Sequence, residues 1–231
     1  MDPLSQQQAV DEAILSRRSV RAFLPTEIPR ATIEELLTIA ARAASGTNIQ
    51  PWHVHVLTGE RKTRLSQRIL DAFNDPIECE KHKSEFSIYP EQWISPFIDR
   101  RRKVGWDLYT LLGIGKGDRE RTHAQHAKNF AFFGAPVGMI FSIHRVLGYA
   151  AWIDYGMFLG NLMIAARARG LHTCPQFAFA QFHTIINDEL GLGPDYKVIC
   201  GMSLGHEDTS AIENTLRTER APLSAWANFV D

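Results

Sequence analysis

Three arginines, Arg17, Arg18 and Arg21, fall within five positions of the stretch SRRSVRAF, with no acid between them. A guanidinium presents two parallel N–H donors in a rigid fork, a shape that matches phosphate or carboxylate oxygens. Ser19, in the midst of the three, adds a hydroxyl. Like charges this close repel, so an anion that neutralises them is one reading of the cluster. The other is plainer: basic side chains at a helix C-terminus complement its dipole and face water. A second basic group, Arg217 and Arg220 in LRTERAPL, stands near the opposite end of the chain. A segment with no apolar period of its own usually wraps around something. Packed beside the first cluster, it would let both ends of the chain close on one phosphate.

The usual nucleotide-binding patterns are missing. No G-x-G-x-x-G follows a predicted strand, and no G-x-x-x-x-G-K-[ST] occurs. GIGKGDRE, residues 113–120, is glycine-rich but lacks the spacing and follows a predicted helix, so it reads as a turn. A dinucleotide-binding Rossmann half and a P-loop nucleotidase therefore fit poorly, and a smaller phosphorylated cofactor remains. The stretch SGTNIQPWHV crowds Ser45, Thr47, Asn48 and Gln50 between a predicted helix and a predicted strand. It is either a well-capped turn or a loop that offers donors and acceptors to a heteroaromatic ring in an otherwise apolar pocket.

Other candidates are weaker. His53 and His55 share one strand face, and His123 and His126 stand i, i+3 on a helix. Neither pair has a third ligand at a telling distance, so no metal site is expected. Cys174 has no base near it in sequence and reads as a small buried residue. Phe86, Tyr89, Trp93, Phe97 and Trp106 could stack on an aromatic substrate or form a satellite core. Arg100, Arg101 and Arg102 could attract a carboxylate or face solvent.

These residues need elements to place them. Helices are predicted over 6–17, 30–45, 62–73, 95–114, 118–136, 149–169 and 179–192, strands over 52–59, 137–143 and 196–205. Thr32 and Glu35 have the spacing of a capping box. Residues 75–96 read as an irregular region, the start of a lid over 75–106, and the chain from His206 as an extended tail. Helices dominate a few strands, which makes the class α+β. No linker divides residues 1–231, so one domain is expected. The formal net charge of −1 disfavours a nucleic-acid partner. The most apolar stretch, residues 149–170, carries Asp154, Asn161, Arg167 and Arg169 and makes a poor membrane span. MDPLSQQQAVDEAI lacks the pattern of a signal peptide, and three cysteines form no C-x-x-C pair. A soluble, reduced, cytoplasmic protein is expected.

Five stretches, SRRSVRAF, SGTNIQPWHV, FFGAPVGMIF, DYGMFLGNLMIAARARGLHTCPQ and LRTERAPL, appear in an order and spacing that resemble the FMN-dependent nitroreductase family over nearly the whole chain, especially its nitrobenzoate and nitroaromatic reductases. The resemblance implies helices around a small central mixed β-sheet, a homodimer built on the helix at 152–168, and a C-terminal tail reaching onto the partner subunit. It implies bound FMN. Arg17 and Arg18 would serve the phosphate and ribityl end, with Ser19 in the same stretch, and Arg21 would lie near the pyrimidine edge. Ser45, Thr47, Asn48 and, in the same motif, Gln50 would reach the flavin of the other subunit. Pro175, Gln176, Phe177 and Ala178 would bring backbone to the flavin N5, and Arg220 with Arg217 would clamp the phosphate. Many relatives carry an acid and a glycine where Phe177 and Ala178 follow Gln176 here, which leaves the N5 donor open. Phe86, Tyr89, Trp93 and Trp106 become candidates for the substrate wall.

The implied chemistry is a ping-pong cycle in which NADH or NADPH reduces the flavin and a nitroaromatic then takes two electrons, giving nitroso and hydroxylamine products. No catalytic side chain is required beyond Arg21 as a stabiliser of the reduced ring. The same fold and cofactor also suit reductive dehalogenation or the reduction of an enone or quinone. A non-enzymatic polyanion-binding protein is the alternative of another class.

Overall fold

The chain is described here by a computed structural model covering residues 3–230. In chain order it forms α1 (Pro3–Ser16), α2 (Arg30–Ala40), β1 (His53–Leu57), α3 (Gly59–Asn74), α4 (Pro76–Lys81), α5 (Phe97–Leu111), α6 (Arg119–Ala127), β2 (Val137–His144), α7 (Tyr149–Arg167), β3 (His172–Gln176), α8 (His183–Leu190) and β4 (Tyr196–Gly205). The α+β class is as expected. The sheet has the order β1-β2-β4-β3 and every ladder is antiparallel, which corrects the expected mixed sheet. Among the described residues the only parallel contact is one isolated bridge, between Ser19 and Thr173.

The two central strands are apolar on both faces, and each face has its own cover. On one side Met139, Phe141 and Ile143 of β2 and Met202 and Leu204 of β4 pack under Ile33 and Leu36 of α2 and Tyr155, Phe158 and Leu162 of α7. On the other side Ile140, Val198 and Cys174 meet Leu65 and Ile69 of α3 and a group of phenylalanines, Phe130, Phe132, Phe179 and Phe182. No described helix is long and apolar enough to cross a membrane.

Several boundaries differ from expectation, each for a local reason. β3 was not anticipated, because HTCPQ is short and contains a proline. It is an edge strand, where a missing N–H is tolerated. α2 stops at Ala40, and its N-cap is Pro29 with no side-chain cap. Thr32 lies inside the helix, and Glu35 pairs with Arg169 at 2.6 Å instead of closing a capping box. α6 ends at Ala127 rather than 136, because Phe132 and Phe133 turn through left-handed backbone (φ 52° each) to bury their rings. Within the expected irregular region, Asp75 caps the short α4 by accepting from the N–H groups of Ile77 and Glu78. The expected tail from His206 is packed as far as Leu216, with Glu213 and Asn214 buried.

Gly201 of β4 shows how tightly the sheet carries the residues beyond β3. A Cβ there would lie 2.3 Å from the ring of Phe179, which is fully buried against Phe130 and Phe132. Overpacking of this kind costs about 1–3 kcal/mol. Gly201→Ala is expected to lower Tm by several degrees, at roughly 2–4 °C per kcal/mol, in differential scanning fluorimetry. An unchanged Tm would mean that the ring is free to move aside.

Candidate functional site

The segment after α1 is stitched between β3 and the chain that leaves β4. Val20 N donates to Thr173 O (3.2 Å), Leu24 N to His206 O (2.9 Å), and Asp208 N to Ala22 O (3.1 Å). The buried Asn214 completes the join. Its Oδ1 accepts from the backbone N–H of Arg21 (2.8 Å), and its Nδ2 donates to Ala22 O and Asp208 O (2.8 Å each). The two ends of the chain thus meet, as the two arginine groups implied.

The join sorts the arginines. Both carboxylate oxygens of Glu207 accept from Nη2 of Arg18, so Arg18, expected at a phosphate, is ion-paired inside the protein. Arg217 donates to the carbonyls of Asn214 and Leu216 and lines a cleft of ≈ 400 Å³ with Arg18. Arg17, Arg21 and Arg220 have no carboxylate partner among the described residues. Arg21 donates to Ser19 O at 3.3 Å, and Arg220 to the nearby Thr218 and Glu219. Burial lowers the pKa of Arg17, and the nearby positive charge of Arg220 lowers it further. Fixed positive charges held together without a counterion are a site for an anion. Cys174 lies beneath them. Burial pushes its thiol up to about 11, against the pull of Arg21, Ser19 and Arg17, so it is an inert packing residue.

His172, at the head of β3, is held at about 4 by burial and then by Arg167. Glu207 lies 3.5 Å away but is already engaged by Arg18, and it does not offset the burial.

The Ser45–Gln50 loop is a separate feature. Thr47, Asn48 and Gln50 all adopt left-handed backbone (φ 50°, 62° and 52°). Non-glycine residues seldom do so, and strain of this kind gathers at functional sites. The buried Asp154 of α7 holds the loop by accepting from Gly46 N (3.1 Å), and Ser45 Oγ accepts from Gln50 N (3.1 Å). Next to it, the Tyr155 hydroxyl donates to His53 O (2.9 Å) and accepts from His53 N (3.2 Å), fixing where β1 starts. Thr47, Asn48 and Gln50 themselves face outward. Among the described residues no hydrogen bond or ion pair joins this loop to the arginines.

Pro175–Ala178 leaves the edge strand and turns into a 3-10 segment, Phe177–Phe182. Gln176 is buried there. It donates to Asn129 O (2.6 Å) and accepts from Ser203 Oγ (2.9 Å), which anchors the backbone on either side. Phe177 points outward into a cleft of ≈ 710 Å³ that Phe86 also lines. The four candidate aromatics do not share one wall. Phe86 packs edge-on against Trp152 at 4.9 Å. Tyr89 and Trp93 pair at 5.7 Å beneath the guanidinium of Arg101. Trp106 lines a cleft with Arg21. The region bearing Phe86 is clamped to the body by Glu85, 2.6 Å from Arg145 and 3.5 Å from His183. Among the described residues no group of three or more metal-type ligands forms.

Glu207, Asn214, Asp154 and Glu85 escaped the sequence reading. Each is a lone polar residue whose role comes from a partner far along the chain. The one cue for Glu207 and Asn214 was that a tail carrying two arginines needed its own anchor.

Residues 14–206 match the nitroreductase family. The chain is 43% identical to the 4-nitrobenzoate reductase of Pseudomonas putida over 220 residues, covering 95% of each protein. Its fold superposes on the FMN and NADPH-dependent nitroreductase NfnB from Sphigopyxis sp. strain HMH with a TM-score of 0.91, at 36% identity, covering 96% of this chain and 99% of that one. It also superposes on the FMN-dependent nitroreductase NfnB from Mycobacterium smegmatis in complex with NADPH, with a TM-score of 0.92 at 30% identity, covering 98% and 100%.

The low pKa of His172 has a measurable consequence. Between pH 6.5 and about 4 the unfolded chain binds a proton at this site and the folded one does not. Stability is therefore full above the unfolded value and is lost as pH falls through that window, by up to about 3 kcal/mol. In urea titrations at pH 7, 5.5 and 4, the stability of wild type relative to His172→Gln is expected to shrink as pH falls. A difference independent of pH would refute the assignment.

Proposed function

The chain belongs to the nitroreductase family, and we propose on that footing that it is an FMN-dependent oxidoreductase that reduces nitroaromatic compounds, nitrobenzoates among them, with NADH or NADPH as electron donor. The observation that carries this reading is the gathering of Arg17, Ser19, Arg21 and Arg220 where the two ends of the chain meet, with no carboxylate on these three guanidinium groups among the described residues. Such a donor set fits a phosphate dianion together with a ring edge that becomes anionic on reduction.

Arg17, Arg220 and Ser19 would hold the phosphate and ribityl end. Arg18 has a positioning role through Glu207, and Arg217 folds the terminal segment back on its own carbonyls. Arg21, fixed through its backbone N–H to Asn214, would put positive charge at the pyrimidine edge, where preorganised charge lowers the barrier to reduction. The Pro175–Ala178 backbone, steadied by the buried Gln176, would supply the N–H beside N5. When bound, FMN supplies the redox chemistry, taking two electrons from the nicotinamide and passing them to the nitro group. Donor and nitroaromatic would use one place in turn, a ping-pong order, with nitro taken to nitroso and nitroso to hydroxylamine.

The protein would act as a homodimer. Ile153 and Met157 of α7, and Ile49 in the strained loop, are exposed apolar side chains near one another along the chain's fold, with Ile153 at 69%. Asp154, between the first two, holds that loop. Exposed apolar surface of this kind marks an interface. Across it, Ser45, Thr47, Asn48 and Gln50 would reach the flavin of the partner, and the residues after Leu216 would extend onto it.

The whole reading is tested by FMN-dependent oxidation of NADPH with 4-nitrobenzoate, which is expected to yield the hydroxylamine; no reduction of any nitroarene by flavin-loaded protein would sink it. Arg17→Ala and Arg220→Ala are each expected to weaken FMN binding roughly 10- to 150-fold, from about 1.5–3 kcal/mol per charged hydrogen bond, read by flavin fluorescence titration. Ile153→Asp is expected to shift the protein from dimer to monomer in light scattering, with FMN retention falling in step. A dimer that survives the substitution would move the interface elsewhere.

A further inference from the structure

Lys197 stands near the start of β4, opposite Ile143 of β2, and is the one charged residue of that strand. It is half-buried and lines the ≈ 710 Å³ cleft whose walls include Phe86, Tyr149, Trp152 and Phe177. Among the described residues it has no ion pair and no hydrogen-bond partner. The carboxylate in the same cleft, Glu85, is paired through Oε1 with Arg145 at 2.6 Å. The Lys197 ammonium has no counter-charge of its own in the cleft, so an anionic group on a ligand held there would pair with it.

The setting says which anion. Four aromatic side chains line the cleft, and aromatic rings stack on or meet one another edge to face. A single cation sits among them. The volume lies within the range of small-molecule sites. A monocyclic arene bearing a carboxylate satisfies both the walls and the charge. A free phosphate would use only the charge, and a neutral arene only the walls. The rival cations are placed otherwise: Arg101 lies over the rings of Tyr89 and Trp93, 5.5 and 4.9 Å from their centroids, and Arg100 lines a different cleft, with the terminal segment.

We infer that Lys197 is the anion-recognition residue of the substrate cleft, so that the enzyme selects nitroaromatics that carry a carboxylate. This rests on the nitroreductase reading, because Phe177 joins the cleft to the backbone assigned to the flavin. Lys197 touches the substituent and not the nitro group. Its loss should therefore appear in KM and in selectivity rather than in kcat.

Two measurements test it. In the FMN-loaded enzyme, Lys197→Gln is expected to lower the ratio of kcat/KM for 4-nitrobenzoate over that for nitrobenzene by tenfold or more, carried by KM, with Lys197→Arg restoring most of the ratio. A ratio that does not change, or a fall confined to kcat, overturns the proposal. Independently of turnover, calorimetric titration with benzoate and with its neutral analogue benzamide is expected to show benzoate binding weakened tenfold or more by Lys197→Gln, with added salt weakening it in wild type. Equal effects on benzoate and benzamide also overturn it. Should wild type bind benzoate through Lys197 yet reduce no nitroarene, the nitroreductase reading fails and the anion site stands. Should it reduce nitrobenzoate without any dependence on Lys197, the reverse holds.

Discussion

The site depends on holding like charges side by side. Arg17, Arg18, Arg21, Arg217 and Arg220 would separate if the chain ends were free, since each pair repels and each guanidinium is better hydrated alone. The fold prevents this with one ion pair and one amide. Glu207 neutralises Arg18, and Asn214 spends its three hydrogen bonds on Arg21, Ala22 and Asp208. A buried amide that found only some of those partners would be a liability of about 1–3 kcal/mol. Because all are present, the join is specific: a shift of one residue in either segment would orphan several polar groups at once. The unneutralised arginines then keep their charge for a ligand.

A second store of unfavourable energy sits in the Ser45–Gln50 loop. Three non-glycine residues in left-handed backbone cost on the order of 1 kcal/mol or more each. The loop keeps that geometry because Asp154 and Ser45 grip its amide groups from either end. Asp154 lies on the helix whose apolar residues Ile153 and Met157 face outward, so whatever covers that helix also bears on the strained loop. In the proposed dimer, loop geometry and subunit association would be one structural problem, met on a single turn of α7.

Much of the frame was legible in the sequence. β2 read as a buried strand because its apolar run is continuous, β4 as a strand, and α7 as a long helix closed by Gly170, which adopts φ 71°. The arginine clusters and the polar loop were legible because charge and hydrogen-bonding groups are dense there. What could not be read was local pattern overridden by distant packing. β3 carries a proline and owes its place to β4. α6 is cut short because the phenylalanines at 130, 132 and 133 are drawn into the core, against a continuous helical pattern. Arg18 is indistinguishable from Arg17 in sequence, and only Glu207, 189 residues away, separates their roles. Lys197 carries no signal in the sequence, and only the fold brings it into one cleft with Phe86.

The arrangement divides the labour between two parts of the sheet. The arginine cluster proposed to grip the cofactor belongs to the segments stitched to β3 and to the end of β4. The cleft belongs to the start of β4, the start of α7, and the region clamped by Glu85. They share Phe177, whose backbone follows the buried Gln176 and whose side chain enters the cleft. A change at Lys197 or Phe86 therefore touches none of the polar bonds of the join, whereas a change at Asn214 removes those to Arg21, Ala22 and Asp208. On the proposed reading, substrate preference would drift at little cost to the cofactor site, because Lys197 and Phe86 lie outside the network that assembles the charge.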